Sequence, residues 1–185
     1  MLLARPFVFM RHGETPLNRD RLIGGSTDVA LTTLGEAQAR SARPLLERHW
    51  SRIVTSSRLR ARQTTRLAVP KRQFDSLAGL DERDWGRLER APLACQTPYL
   101  ATPPGGESWD VFEARVVTAL NAVLAVHPYP LIIAHSGVYR VIQRLIRGRP
   151  DGPRLPNARP LSIRPGPLGW TLHLLGSHDV RHPLS

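Results

Sequence analysis

Cysteine is almost missing from this 185-residue chain. Cys95 stands alone, so no disulfide can close within it. With no second thiol and no clustered histidine beside it, Cys95 reads as an ordinary loop residue. Long apolar runs are missing too, and nothing approaches the roughly 20 residues of a membrane-spanning helix. Met1 to Arg5 runs straight into an apolar strand, without the longer apolar core and small-residue cleavage site of a secretory leader. A cytoplasmic protein with no membrane partner is expected. Lysine is as scarce as cysteine. Lys71 is the only one among 26 basic residues, so arginine carries nearly all of the positive charge behind a formal net charge of +11. The arginines are dispersed rather than gathered into a basic arm, and no aromatic-interleaved basic motif accompanies them. Arginine used throughout in place of lysine points to a coding bias, so a nucleic-acid partner is not expected. A basic cleft for an anionic substrate fits better. There is no H-E-x-x-H, no paired cysteine and no Asp-rich cluster, and Gly24-Gly25 lacks the Gly-Lys-Ser/Thr of a phosphate loop. No metal and no cofactor are therefore expected.

What remains is an ordinary globular composition, 41% hydrophobic and 22% charged, of a length that suits one domain, 1–185. Phe7 to Met10 reads as a buried strand. Arg11 to Leu31 reads as a long polar connection. Thr33 with Glu36 has the form of a capping box opening a helix that runs to about Trp50, with Leu34, Ala37, Ala42, Leu45 and Leu46 at helical spacing. Ile53-Val54-Thr55 is a short strand, Arg60 to Leu67 a helix closed by Pro70, and Phe74 to Leu80 a third extended segment. Glu82 to Pro104 reads as loop. The longest helix starts at Glu107 or Ser108, carries a stripe from Val111 and Phe112 through Arg115 to Leu124, and ends before Pro128. Leu131 to Ala134 is the clearest buried strand, followed by a helix over 138–147. The stretch 149–160 reads as irregular, and Leu161–Ile163 with Trp170–Leu174 as a closing hairpin. This alternation predicts a three-layer α/β/α sandwich with a mainly parallel central sheet.

Chemistry gathers at strand ends. Arg11 and His12 follow the first strand, Arg60 follows the second and His135 follows the apolar strand Leu131 to Ala134. In an open parallel sheet such turns converge on one edge. Two arginines and two histidines around one point suit a phosphoryl group, whose transfer depends on positioning and on neutralising charge. Nearby cations disfavour imidazolium, which leaves His12 a neutral nucleophile. Glu82, Asp81, Asp84 and Glu14 are rival proton donors. Arg58 and Arg62 read as solvated charge. Trp50, Trp109 and Trp170 read as packing groups, and Trp85 as lining for the pocket mouth. His49 and His127 fall at helix ends; His178 and His182 fall in a polar tail.

Arg11-His12-Gly13-Glu14-Thr15 with Asn18 resembles the opening motif of the histidine phosphatase superfamily, the phosphoglycerate mutase-like group. The resemblance continues in order through Gly25-Ser26-Thr27-Asp28-Val29-Ala30-Leu31-Thr32, Thr55 to Thr64, Leu80-Asp81-Glu82-Arg83-Asp84-Trp85-Gly86, Pro104 to Ser108 and Ala134-His135-Ser136-Gly137. It implies a phosphoglycerate mutase-like fold and a metal-independent phosphohistidine mechanism. His12 would be the nucleophile, Arg11 and Arg60 the phosphate-binding arginines, Glu82 the acid and His135 the second histidine. Asn18 would bind phosphate, and Thr15, Gly24, Gly25 and Ser136 would touch substrate. The phosphoglycerate mutases of this group carry further basic residues in a longer insertion after the acid, and a Phe-Thr-Gly-Trp segment where this chain has Ile23-Gly24-Gly25-Ser26. The resemblance therefore favours a phosphatase acting on a small phosphorylated substrate, most like the α-ribazole phosphatases and their broad-specificity relatives. The alternatives are mutase-type transfer and a non-catalytic binder of phospho-ligands or nucleic acid. The oligomeric state stays open, a homo-oligomer included.

Overall fold

β1 (Phe7–Arg11) is buried along its whole length, and its side chains alternate between the two faces of a sheet. Phe7 and Phe9 enter one apolar cluster with Val54, Ile132 and Ala134; Val8 and Met10 enter a second with Ile53, Leu131 and Ile133. A strand with two buried faces needs helices on both, and the chain supplies them. In order it forms α1 (Pro16–Arg19), α2 (Thr33–Ser41), α3 (Arg43–Leu46), β2 (Ile53–Ser56), α4 (Leu59–Ala68), β3 (Asp75–Leu77), α5 (Trp109–Val126), β4 (Leu131–Ala134), α6 (Ser136–Arg147), β5 (Pro160–Gly166) and β6 (Gly169–Leu174). These come from a computed structural model, which describes residues 1–176. His178 and His182 lie outside the described residues. Among the described residues, no helix is long and apolar enough to cross a membrane.

The six strands lie in the order β3-β2-β4-β1-β5-β6; the first four are mutually parallel, β5 is antiparallel to β1, and β6 is antiparallel to β5. Residues of α5 and α6, among them Phe112, Val116, Leu120, Val138 and Ile142, fill the first cluster. Ala42 and Leu46 beside α2 and in α3, and Ala68 of α4, fill the second. The result is the expected three-layer sandwich with a mainly parallel sheet.

Several expected boundaries move. The cap of α2 is Thr32, whose hydroxyl accepts from the Gly35 amide at 3.0 Å, and not Thr33. The helix expected to run to Trp50 breaks at Ala42, because Pro44 has no N–H and is tolerated only in a first helical turn. Leu34, placed in the apolar stripe, is exposed, as is Val111 on α5. The third extended segment pairs only over Asp75–Leu77 and then tightens into a 3₁₀ turn, Ala78–Leu80. α6 starts two residues earlier than expected, at Ser136. The polar connection after β1 contains the four-residue α1, capped by Thr15 and Asn18.

The loop after β1 lies directly on the start of α2. Glu14 accepts from the Thr32 amide at 3.0 Å through its carbonyl, and its own amide donates to Gln38 Oε1 at 2.9 Å. A side chain at Gly35 would put its Cβ 2.1 Å from that Glu14 carbonyl oxygen, which is backbone and cannot swing away. Gly35→Ala should therefore lose about 1–3 kcal/mol of stability. Thermal unfolding should show the midpoint falling by several degrees, and an unchanged midpoint would contradict the close approach.

Candidate active site

Parallel pairing sets the two histidines side by side. Arg11 pairs with Ala134, and the His12 amide donates to the Ala134 carbonyl at 3.0 Å. The rings meet edge to face with centroids 5.2 Å apart. His12 Nδ1 lies 2.7 Å from the Gly13 carbonyl oxygen. A carbonyl can only accept, so Nδ1 carries the proton and Nε2 of the neutral ring keeps its lone pair. Burial, with Arg60 and Arg11 adding to it, pushes His12 well below its ordinary 6.5, so that neutral form prevails at pH 7.

Arg11 ends β1 and is 8% exposed; Arg60 sits in the first turn of α4 at 3%. Burial lowers Arg11 to about 10, which leaves it charged at neutral pH. Arg11 donates from Nη1 to the Leu155 carbonyl at 3.2 Å, while its buried Nε has no partner. Arg60 donates to the carbonyls of Thr27 and Gly25, each at 2.8 Å, and lies 3.9 Å from an Asp28 carboxylate oxygen. Those contacts tie down the loop at Gly25, whose φ of +51° suits glycine. From the other side Glu89 accepts from the Ser26 and Thr27 amides at 2.6 and 2.8 Å and from both hydroxyls. Partial burial would raise Glu89, but these bonds outweigh it and hold the carboxyl below its ordinary value.

Glu82 stands at the start of α6. Its Oε2 accepts from the Gly137 amide at 3.0 Å and its Oε1 from the Arg83 amide at 2.9 Å. Any side chain at 137 would put a Cβ 2.0 Å from Oε1. The neighbouring Ser136 hydroxyl is buried without a partner. Arg115, read from spacing as part of the apolar stripe of α5, does something else. It makes a two-pronged pair with Glu107, at 2.7 and 2.8 Å, and donates to the Asp81 and Glu82 carbonyls. It thereby fixes the backbone that presents Glu82. Arg83, fully buried, donates to the carbonyls of Glu107, Tyr99 and Ala101 and so holds the 99–107 segment over the site.

Thr15 and Asn18 cap α1 reciprocally. Asn18 Oδ1 accepts from the Thr15 amide and from Asn157 Nδ2, both at 3.3 Å, which leaves the Asn18 amide nitrogen as the group able to donate into the pocket. Asn157 also donates to the His12 carbonyl at 2.8 Å, and the Ala158 amide to the Arg11 carbonyl at 2.9 Å. The irregular 149–159 stretch is thus stitched to the end of β1 and contributes Arg154 to the wall.

Nine of the ten residues singled out from sequence line one cavity: Arg11, His12, Thr15, Asn18, Gly24, Gly25, Arg60, Glu82 and Ser136. The tenth, His135, is completely buried beside His12 and not on that wall. Trp85 lines the cavity, as expected from its place next to Glu82. Tyr99, Gln96 and Arg154 join it from distant loops that no local motif marks. Arg58 is not simply solvated charge; it pairs with Asp81 at 3.3 Å. Among the described residues, no three His, Cys, Asp or Glu side chains come together to hold a metal ion.

The family model of the histidine phosphatase superfamily (branch 1) matches residues 7–177. The chain belongs to that superfamily. Among curated relatives, it is 31% identical to an agropine synthesis reductase of Rhizobium rhizogenes over 91% of this chain, yet it spans only 41% of that protein's length. It is also 31% identical to the uncharacterized phosphatase PhoE of Bacillus subtilis (strain 168), over 80% of this chain and 82% of that one. Among solved structures, the α-ribazole phosphatase from Shigella flexneri superposes with a TM-score of 0.76 at 26% identity, covering 92% of this chain and 95% of that one.

The two imidazoles carry a consequence for stability. Burial, then Arg60, also hold His135 well below 6.5. Below pH 6.5 an unfolded chain binds protons at both rings that the native protein refuses. Their contribution to stability is complete above about pH 6.5 and is lost as pH falls beneath it, at up to about 2.7 kcal/mol per pH unit. Urea unfolding at pH 7.0, 6.0 and 5.5 should show that slope, and His12→Asn should reduce it. Equal slopes in the two proteins would contradict the neutral His12.

Proposed function

We propose that the chain is a phosphomonoester hydrolase working through a phosphohistidine on His12, with residues 1–185 acting as one catalytic domain. The observation that carries this is a set of groups with nothing to bind. His12 Nε2 is bare, and Arg11 Nε and Ser136 Oγ, on two residues that line the same cavity, are buried without partners. Leaving a buried donor unmet costs about 1–3 kcal/mol. A phosphoryl group would satisfy these donors and accept from Asn18 as well.

In this reading His12 Nε2 attacks phosphorus as the ester P–O bond breaks. Arg11 and Arg60 neutralise the equatorial oxygens, and His135, neutral before substrate binds, takes on positive charge beside them by accepting the proton of a monoanionic phosphomonoester at its open Nδ1. The departing alkoxide takes a proton from Glu82. Each Glu82 oxygen keeps a second lone pair beyond the one facing an amide, so holding the proton need break neither amide bond. Water then attacks phosphorus, Glu82 takes its proton, the N–P bond breaks and inorganic phosphate leaves. The alcohol side of the cavity is walled by Leu17, Leu22, Ile23, Trp85, Leu93 and Tyr99. Such a wall favours an ester whose alcohol has an apolar or aromatic face, and an α-ribazole phosphate is the candidate, since the similar Shigella flexneri structure is that of an α-ribazole phosphatase. Among the described residues, Arg154 is the one arginine besides Arg11 and Arg60 that lines the cavity for a second phosphate or a carboxylate, as mutase substrates carry.

Purified protein in chelator, given α-ribazole phosphate, sugar phosphates and phosphoglycerates, should release inorganic phosphate, fastest from the first. No release from any of them would contradict the reading. His12→Ala should abolish release. Glu82→Gln should slow alkyl phosphates at least ten-fold more than aryl phosphates, given the 10²–10⁴-fold typical of general acids; equal slowing would remove Glu82 as donor.

A further inference from the structure

Behind His135 lies a chain of hydrogen bonds that the phosphatase reading does not use. His135 Nε2 is 2.6 Å from Ser56 Oγ, and Ser56 Oγ is 2.7 Å from Asp81 Oδ1. All three side chains are buried. Asp81 is otherwise met only by donors. The Ser57 amide reaches Oδ1 at 2.8 Å, the Ser57 hydroxyl reaches both oxygens, and Arg58 Nε lies 3.3 Å from Oδ2. Ser56 Oγ accepts from the Arg58 amide at 3.1 Å.

One assignment of protons satisfies every contact. A carboxylate can only accept, so the single Ser56 hydroxyl proton goes to Asp81. Ser56 then accepts from the Arg58 amide and from His135 Nε2–H, and both of its lone pairs are used. If Ser56 instead donated to His135, two bare oxygens would face each other at 2.7 Å. The direction is therefore His135 Nε2–H to Ser56 to Asp81, and it leaves Nδ1 as the open ring atom. Nδ1 is buried with no partner.

We propose that Asp81 and Ser56 are positioning residues for phosphoryl transfer, a relay that fixes His135 with its proton on Nε2, turns Nδ1 to the transferring group and supports positive charge on the ring. This rests on the phosphatase reading for its catalytic consequence, but the tautomer does not. The need for support is visible in the surroundings. The charged and titratable groups acting on His135 are Arg60 and Arg58 from the start of α4, His12 just after β1 and Arg11 at its end, and all of them oppose a positive ring. Asp81, from the turn after β3, is the negative group that reaches the ring through a hydrogen bond, and β2 supplies the Ser56 bridge.

Two readouts test this on the full-length protein. The first is the ¹⁵N chemical shifts of the His135 ring near pH 7, read in wild type, Ser56→Ala and Ser57→Ala. Wild type and Ser57→Ala should show a protonated Nε2 and a bare Nδ1; Ser56→Ala should lose that preference. The second is the pH profile of kcat on 4-nitrophenyl phosphate, whose leaving group depends little on Glu82. Asp81→Asn and Ser56→Ala should lower kcat roughly 10- to 100-fold, by analogy with the loss seen when the outer partner of a metal-bound imidazole is removed. Both should also move the alkaline limb to lower pH, because the charged ring has lost its support. Ser57→Ala touches the same carboxylate but not His135 and should leave the limb in place. A wild-type His135 protonated on Nδ1 would overturn the relay, as would an unshifted alkaline limb in folded Ser56→Ala and Asp81→Asn. If wild type turns over no phosphomonoester, the function falls while the ¹⁵N shifts still decide the tautomer.

Discussion

Arg11 and Arg60 are held out of water beside two buried imidazoles, and the rest of the site follows from that constraint. Desolvating a guanidinium is unfavourable unless its donors are met. Here the donors that are met go to backbone carbonyls, those of Leu155, Gly25 and Thr27, rather than to tight carboxylate pairs. Carbonyls satisfy hydrogen bonds without cancelling charge. The cavity therefore keeps a positive field while its arginines stay folded inward, and burial, with that field adding to it, depresses both histidines.

The same bonds organise the loops. Arg60 cannot reach the Gly25 and Thr27 carbonyls unless the loop turns back at Gly25, and Glu89 fastens that turn through Ser26 and Thr27. Arg11 cannot reach Leu155 unless the 149–159 stretch lies against β1, and Asn157 and Ala158 secure it there. Gly13 completes the link, its amide donating to Thr64 of α4 at 3.0 Å while Thr64 donates to the Arg60 carbonyl. Three backbone carbonyls, brought from two separate segments, thus hold the two arginine side chains in place.

The layers were legible because burial leaves a period in the sequence. Phe7 to Met10 and Leu131 to Ala134 are apolar throughout, as strands covered on both faces must be, and the ends of both deliver the histidines. Glu82, the proposed acid, was singled out only through the resemblance, since Asp81, Glu82 and Asp84 look alike in composition. Other features had no local mark. Asp81 meets Ser56 and Ser57 across some two dozen residues, and Arg83 and Arg115 bind carbonyls, a partner every residue offers. The break at Ala42 was visible in Pro44 but lost beneath the stronger apolar spacing. α1 is a single turn, too short to show a period, although Thr15 with Asn18 three residues on carries its cap.

The central claim is that His12 Nε2 receives the phosphoryl group, and it can be read directly. Wild-type protein would be mixed with a ³²P-labelled phosphomonoester that it turns over, quenched in alkali within milliseconds, digested and mapped. Label bound to the peptide containing His12, stable to alkali and lost in acid as a phosphohistidine is, is the result this account requires. Rapid phosphate release with no label on His12 at any quench time would contradict it.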